Sequence, residues 1–183
     1  YAYTVAFLYS LVRARRSRPD RVRRIAAVWY NPRDLTGSNL RLGHWKQYFE
    51  NMGVRYDNYW AYDMKEYREQ FERAPNAVRY RFYSRLVLRR LRQFLRLREY
   101  DVVWIARGFL PLYPLKYAFF ERCLRRMGVY LVVDSTDGGD MLGNERLVLD
   151  TMAQADRITV AFRFLREFFE KRFPDVVHVE WTI

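Results

Sequence analysis

Charged residues follow two short apolar segments in the middle of the chain, at positions where buried strands would end. Residues 102–105 are apolar and lead to Arg107 and Gly108, and residues 129–133 are apolar and lead to Asp134. Runs of this length and composition are typical of strands buried in a parallel sheet. Ligands of such sheets bind in the crevice beyond the carboxyl ends of the strands. We therefore predict that Arg107 and Asp134 lie together at one edge of a sheet, where they pair either with each other or with a ligand.

Two more aspartates lie beside a glycine pair just after Asp134. Asp137 and Asp140 flank residues 138–139, both glycine. Carboxylates grouped in this way can bind a metal, accept hydrogen bonds from sugar hydroxyls or act as a base. The spacing is not that of an EF-hand, and no His or Cys lies nearby in the sequence to complete a zinc site. We predict Asp137 as a substrate contact and no metal site, with a solvated acidic loop as the alternative.

A third group of candidates follows the first apolar segment. The loop after residues 24–30 contains Gly37 and Ser38, and Arg41 comes one helical turn later. A glycine before a helix start allows close approach of a ligand, and the exposed N–H groups of the helix end attract an anion. The loop lacks the glycine pattern of a dinucleotide site and the Gly-Lys-Ser/Thr of a P-loop. We predict an anion contact at Gly37, Ser38 and Arg41, and an ordinary capped helix start is the competing interpretation.

The elements that would position these residues alternate along the chain. We predict strands at residues 24–30, 54–60, 101–106, 129–134, 156–160 and 176–181. We predict helices at residues 38–52, 63–73, 76–97, 114–127, 145–154 and 162–173. Alternation of this kind is typical of an α/β protein, with a Rossmann-like parallel sheet flanked by helices.

Composition narrows the class of partner. The 183 residues carry 33 Lys and Arg against 21 Asp and Glu, a net charge of +12. That excess favours phosphate-rich partners such as nucleic acid, anionic lipid or a phosphorylated substrate. The single cysteine, Cys123, excludes an internal disulfide framework and suits a reducing compartment. We predict a cytoplasmic protein that can associate with the surface of a membrane.

The first 22 residues differ from the rest. Residues 1–12 are apolar and aromatic, too few to span a bilayer, and arginines dominate residues 13–24. This segment is either a helix that packs on the domain and leads into a basic linker, or the end of a signal anchor or interfacial helix. We expect the domain proper to occupy residues 23–183. Because the chain starts at Tyr1 and stops after an apparent strand, we expect a fragment of a longer protein.

The helix at residues 76–97 carries a basic stripe. Its members recur at steps of three and four and are Arg81, Arg85, Arg89, Arg92 and Arg96. The remaining face is broad and apolar, so this is a core helix with a basic edge that could rest on anionic lipid. Nucleic acid ranks lower as a partner, because no helix-turn-helix or RNA-binding motif accompanies the charge.

Three segments together resemble family 4 glycosyltransferases. Residues 100–107 (YDVVWIAR) look like the family's Tyr-Asp strand ending in arginine, and residues 126–137 are similar to its strand ending in spaced aspartates. Residues 155–160 (ADRITV) resemble its next strand. The resemblance covers residues 23–183, with the order and spacing of the segments as its strongest part. Ser135 and Thr136 stand where some relatives are more acidic, and residues 179–183 depart from the family's usual sequence after the last strand.

The resemblance implies the acceptor-side half of a GT-B enzyme, which has two Rossmann-like domains. The activity implied is that of a retaining, nucleotide-sugar-dependent hexosyltransferase in glycan or glycolipid synthesis, with no further cofactor. The donor would be held mainly by a second domain, and the acceptor would be a glycan or a lipid-linked sugar. Gly37 and Ser38 would face the donor phosphates or the acceptor, and Arg107 and Asp134 would line the acceptor side. The alternative is a non-catalytic basic α/β module that docks on anionic membrane or nucleic acid.

Overall fold

The computed structural model describes residues 1–12, 20–30, 32–33, 45–111, 117–135 and 144–180. Within them the chain forms a six-stranded sheet in which all neighbouring strands are parallel. In chain order the strands are β1 (Arg24–Val28), β2 (Arg55–Tyr59), β3 (Val102–Ala106), β4 (Tyr130–Ser135), β5 (Arg157–Val160) and β6 (Val177–Glu180). Their spatial order is β2-β1-β3-β4-β5-β6. The predicted Rossmann-like α/β fold is confirmed.

Seven α-helices and one π-helical segment (Arg68–Glu72), which continues the third of them, accompany the sheet in the described ranges. The α-helices are α1 (Ala2–Val12), α2 (Trp45–Asn51), α3 (Met64–Tyr67), α4 (Asn76–Leu97), α5 (Phe119–Arg126), α6 (Glu145–Met152) and α7 (Arg163–Glu170). Asp63 caps α3 by accepting a 2.7 Å hydrogen bond from the amide of Glu66. Gly53 and Gly128 follow α2 and α5 with φ of 73° and 76°, a conformation that ends a helix and favours glycine.

Several predicted boundaries were wrong. The helix predicted at residues 114–127 begins at Phe119, because Tyr117 and Ala118 precede it in a bend. The helix predicted at residues 38–52 is seen from Trp45 onwards, and residues 38–44 lie outside the described part of the chain. The predicted ends of the last two helices instead form hydrogen-bonded turns, as in the bond from the amide of Gln154 to the carbonyl of Thr151.

The direction of each connection decides which face of the sheet a helix covers. The β1–β2 connection runs one way along the sheet, and every later connection runs the other way. Because parallel crossovers are right-handed, α2 lies on one face and α4 to α7 pack on the other. The helix-covered face holds the main core, which includes Val28, Ile105, Val133, Ile158 and Val160 from the strands and Phe94, Phe120 and Phe169 from the helices.

The opposite face is covered unevenly. Near β1 and β2 a second core forms where Trp45 and Phe49 of α2 pack on Ile25 and Trp29. Over β3 to β5 this face instead borders a groove of about 680 Å³, whose walls include Trp104, Val132 and Thr159. The groove was not predicted, because it results from the one-sided distribution of helices and not from any local pattern.

The first helix forms an outer layer over the helices of the main face. Ala2 and Ala6 of α1 are buried in the main core, and α1 contacts α4 and α5. Tyr9 fixes this packing by donating a 3.2 Å hydrogen bond from its hydroxyl to the carbonyl of Leu95. The predicted packing of this helix on the domain is thus observed, whereas residues 13–19 lie outside the described part of the chain. None of the helices in the described ranges combines the length and the hydrophobicity that crossing a bilayer requires.

Candidate functional site

The order of the strands places a switch in direction between the carboxyl ends of β1 and β3, where an open α/β sheet forms its ligand-binding crevice. After β1 the chain moves to one side to form β2, and after β2 it returns to the other side of β1 to form β3. This reversal is a topological switch point, the place where open α/β sheets bind ligands. Arg107 and Gly108 follow β3 there, and a Cβ placed on Gly108 would lie 3.9 Å from Cδ2 of Tyr30 at the end of β1.

Arg107 occupies a strained turn at this crevice. Its φ is 67°, the only positive value among the described non-glycine residues. The amide of Gly108 donates a 2.8 Å hydrogen bond to the carbonyl of Ala106, which closes a three-residue turn centred on Arg107. A γ-turn with positive central φ is rare and costs energy for a residue with a Cβ. Such strain is concentrated at functional sites, so Arg107 is the leading candidate for a ligand contact.

Asp134 is held rigidly beside it. The register places Asp134 opposite Ala106 of β3 on one side and Thr159 of β5 on the other. Its side chain is fully buried, and Oδ1 accepts a 2.7 Å hydrogen bond from the hydroxyl of Thr159. A buried carboxylate is costly without partners, and this hydroxyl offsets part of that cost. The structure therefore agrees with the prediction that Arg107 and Asp134 share one edge of the sheet.

Ser135 adds a buried hydroxyl at the same edge. It is 1% exposed and ends β4, directly after Asp134. Within the described residues its Oγ has no hydrogen-bond partner. A buried hydroxyl without a partner costs about 1–3 kcal/mol. A partner that reached this hydroxyl would therefore gain a hydrogen bond.

Glu121 supports the segment that follows Arg107. This carboxyl lies on α5, is almost fully buried, and accepts a 2.8 Å hydrogen bond from the amide of Phe109. Burial raises the pKa of Glu121 above its ordinary value, and the hydrogen bond from the Phe109 amide opposes that rise. Residues 107–109 are thus fixed at one end by the sheet and at the other by a titratable helix side chain.

The buried side chain of Arg90, on α4, hydrogen-bonds to the ends of two neighbouring strands. Its guanidinium is fully buried and donates to the carbonyls of Trp29 and Tyr59, which follow or end β1 and β2. The same group lies 5.3 Å from the ring centre of Phe109. Burial lowers the pKa of Arg90 to about 9, so the group remains charged at neutral pH. Arg90 therefore connects the carboxyl ends of three strands.

The basic stripe predicted on α4 is only partly a surface feature. Arg81, Arg85, Arg92 and Arg96 are exposed. Arg89 differs, because it is partly buried and pairs with Glu66 at 3.0 Å. Its neighbour Arg90, which the stripe did not include, is the buried member with the structural role described above.

The other predicted site residues cannot be placed. Gly37, Ser38, Arg41 and Asp137 lie outside the described residues, as does Asp140. Sequence reasoning missed three polar residues near the edge, namely Glu121, Ser135 and Thr159. Ser135 could have been found from its position directly after Asp134. Glu121 and Thr159 have no such signal, because each lies in a different element and meets the edge only through the fold.

The arrangement is suited to binding a polar, uncharged or anionic molecule. Arg107 supplies N–H donors that can reach hydroxyl or phosphate oxygens, and Ser135 supplies a hydroxyl. In the described part of the chain, no group of three His, Cys, Asp or Glu side chains is placed to hold a metal ion. Comparison of the chain with protein-family models, curated proteins and solved structures finds no match.

Proposed function

We propose that this chain is the acceptor-side domain of a retaining glycosyltransferase that uses a nucleotide-sugar donor. The observation that carries the proposal is the strained turn at Arg107, which lies at the switch point of a parallel sheet beside the buried Asp134. The resemblance of residues 100–107, 126–137 and 155–160 to family 4 glycosyltransferases supports it. All three segments supply strands that meet at this edge.

In this reaction an acceptor hydroxyl attacks the anomeric carbon of the donor sugar and the nucleoside diphosphate leaves. The main task of an acceptor-side domain is to hold that hydroxyl in the correct place. Arg107 would bind acceptor hydroxyls or the phosphate of a lipid-linked acceptor through its N–H groups. Asp134, fixed by Thr159, and the hydroxyl of Ser135 would define the position of the acceptor beside it.

The proposal assigns the donor to a second domain. The loops that contain Gly37, Ser38 and Asp137 follow β1 and β4, so they start at the same edge as Arg107. Contacts from these loops to the acceptor or the donor phosphates remain part of the proposal. A domain that holds only the acceptor binds glycans but does not release nucleotide from a donor.

The competing function is a non-catalytic basic module. Its support is the set of exposed arginines on α4, and it requires no ligand in the crevice at Arg107. The two functions differ in whether the crevice binds a ligand. A glycosyltransferase domain binds a sugar there, whereas a non-catalytic module needs no ligand in the crevice.

Saturation-transfer NMR distinguishes them. The chain is mixed with oligosaccharides, short-chain prenyl-phosphate sugars and the nucleotide-sugars UDP-glucose, UDP-N-acetylglucosamine and GDP-mannose. We expect saturation of the protein signals to spread to protons of at least one glycan or prenyl-phosphate sugar, and weakly or not at all to nucleotide base protons. We also expect that the chain alone catalyses no glycosyl transfer. Turnover by the chain alone would contradict the acceptor-side assignment, and a complete lack of sugar signals would favour the non-catalytic module.

A further inference from the structure

Helix α1 buries its small residues against the domain, where Tyr3 and Tyr9 also pack, and its other large apolar residues face outward. Ala2, Ala6 and Ser10 recur every four residues and are buried against the domain. On the outer side, Leu8 and Leu11 are each 53% exposed. A helix on the surface of a globular protein normally has the opposite arrangement, with large apolar side chains inward and charged ones outward. The eleven residues of α1 include no charged side chain at all.

The exposed apolar residues form one continuous strip. Tyr1, Thr4, Leu8 and Leu11 follow helical spacing, and Phe7 and Val12 widen the strip on either side. An exposed apolar patch of this kind, bordered by polar groups, marks a surface that contacts another protein or a membrane. We call this strip the α1 ridge.

Cationic side chains border the ridge. The guanidinium of Arg126 on α5 lies 5.0 Å from the ring centre of Phe7. Phe7 lines one pocket together with three exposed arginines of α5, namely Arg122, Arg125 and Arg126. Arg122 is paired with Asp150 of α6, and the only acidic residue within α1 and α5 is Glu121, which is buried below the surface. Arg125 and Arg126 therefore give this side of the ridge a positive charge that no exposed carboxylate on α1 or α5 offsets.

We propose that the α1 ridge and the adjacent arginines of α5 dock this domain on an anionic lipid bilayer. The apolar strip would enter the boundary between head groups and acyl chains, as interfacial helices do. The arginines would contact lipid phosphates at the level of the head groups, each basic residue near the surface contributing roughly 1 kcal/mol. Positive charge beside an apolar strip matches the phosphates and acyl chains of an anionic bilayer, and Arg125 and Arg126 supply that charge here. The inference does not depend on the proposed glycosyl transfer, since it concerns the layer of helices and not the crevice at Arg107.

Vesicle binding tests the ridge with a matched control. Co-sedimentation is measured with vesicles of phosphatidylcholine alone and of phosphatidylcholine mixed with phosphatidylserine. The ridge variant Leu8→Ser/Leu11→Ser is compared with Phe162→Ser/Phe164→Ser, which removes similarly exposed apolar residues at the start of α7, far along the sheet. We expect the parent and the control to bind the mixed vesicles, and the ridge variant to bind about tenfold more weakly. Equal binding by the two variants would overturn the proposal.

The charge border is tested in the same assay. Arg125→Glu/Arg126→Glu and Arg163→Glu/Lys171→Glu change the net charge equally, but only the first pair borders the ridge. We expect a loss of about tenfold or more for the first pair and a much smaller loss for the second at physiological ionic strength. Equal binding of the parent to neutral and mixed vesicles, or equal losses for the two pairs, would contradict a bilayer contact at this surface.

Insertion is measured directly with a fluorophore, and two other occupants are checked. An environment-sensitive label at Leu8→Cys should shift to the blue on mixed vesicles, and one at Phe164→Cys should not, in a Cys123→Ala background that removes the buried native thiol.

Sedimentation equilibrium that shows a dimer abolished by Leu8→Ser/Leu11→Ser, without vesicle binding, would assign the ridge to a second copy instead. An oligonucleotide that binds the parent more tightly than mixed vesicles, and does so regardless of Leu8, would assign the arginines to nucleic acid.

Discussion

The backbone amide of Arg107 donates a 2.9 Å hydrogen bond to the carbonyl oxygen of Asp134, so the pairing of β3 with β4 extends one residue past the end of β3. The next peptide then turns sharply, with φ of 67° at Arg107. The sheet thus fixes the backbone of Arg107 in a conformation that an arginine does not favour. A glycine would meet the same backbone requirement without strain, which points to a role for the arginine side chain.

Comparing Arg107→Gly with Arg107→Ala separates backbone strain from side-chain function. Both variants lose the same side chain, and only glycine relieves the left-handed conformation. We expect the glycine variant to exceed the alanine variant in free energy of unfolding by about 1 kcal/mol. Urea denaturation measures the difference, and both variants should lose glycan binding. Equal stabilities would mean that the turn is not strained, and retained binding would remove Arg107 from the site.

The buried carboxyl of Glu121 makes stability depend on pH in an unusual direction. Because burial raises its pKa in the folded protein, the folded state holds this proton more strongly than the unfolded state. The resulting stabilisation is fully present below the ordinary value of 4.5 and is lost as pH rises through the higher folded pKa. Glu121→Gln keeps an acceptor oxygen for the amide of Phe109 and removes the titration. We expect the melting temperature of Glu121→Gln to exceed that of the parent by a margin that widens as pH rises. In acid the two melting temperatures should approach each other.

The control for this experiment is Glu99→Gln, since Glu99 is exposed. This control makes the same chemical exchange at the surface, so its melting temperature relative to the parent gives the baseline effect of the substitution itself. If the melting temperature of Glu121→Gln differs from that of the parent by a constant amount at every pH, burial does not control the titration of Glu121 in the way described.

Replacing the buried Arg90 should destabilise the protein, because Arg90 binds the carboxyl ends of β1 and β2. Arg90→Met fills similar space but removes the guanidinium donors to the carbonyls of Trp29 and Tyr59, although Tyr59 still accepts a 3.1 Å bond from the amide of Trp29. We expect a loss of about 3 kcal/mol or more in the free energy of unfolding. Arg92→Met, on the exposed side of the same helix, should change stability by less than about 0.5 kcal/mol. A loss from Arg90→Met as small as that from Arg92→Met would show that these hydrogen bonds contribute little.

Thr159 can be altered without changing the shape of the edge. Thr159→Val removes the hydroxyl that donates to Asp134 and leaves a buried carboxylate oxygen without it. We expect a destabilisation of about 1–3 kcal/mol, together with weaker glycan binding if Asp134 positions the acceptor. Thr159→Ser keeps the hydroxyl and should retain binding close to that of the parent. Equal binding by the valine and serine variants would leave Asp134 with a purely structural role.

Much of the fold follows from local patterns. The apolar runs before Arg107 and Asp134 predicted two strands and their common edge, because parallel strands present their carboxyl ends together. The long helix at residues 76–97 was predicted with the bounds that are observed, Asn76–Leu97. These successes share a cause, since strong periodicity and burial along one segment determine an element without help from distant residues.

The rest depends on contacts between distant residues. The predicted basic stripe on α4 did not include Arg90, and only the fold shows that Arg90 enters the core to bind the ends of β1 and β2. The sequence also did not predict which face of α1 is buried, because residues on every side of this helix are apolar or uncharged. Thr159 and Glu121 reach the edge from separate elements, and no pattern in the sequence brings them there.

Amide chemical-shift mapping tests the central claim most directly. The chain, labelled with ¹⁵N, is titrated with the glycan or prenyl-phosphate sugar that gives the strongest saturation transfer. The account predicts shifts concentrated at Tyr30, Arg107, Gly108, Phe109 and Ser135, and their loss in the folded Arg107→Gly variant. Shifts that avoid these amides, or that persist unchanged in that variant, would contradict a sugar-binding crevice at the switch point of the sheet.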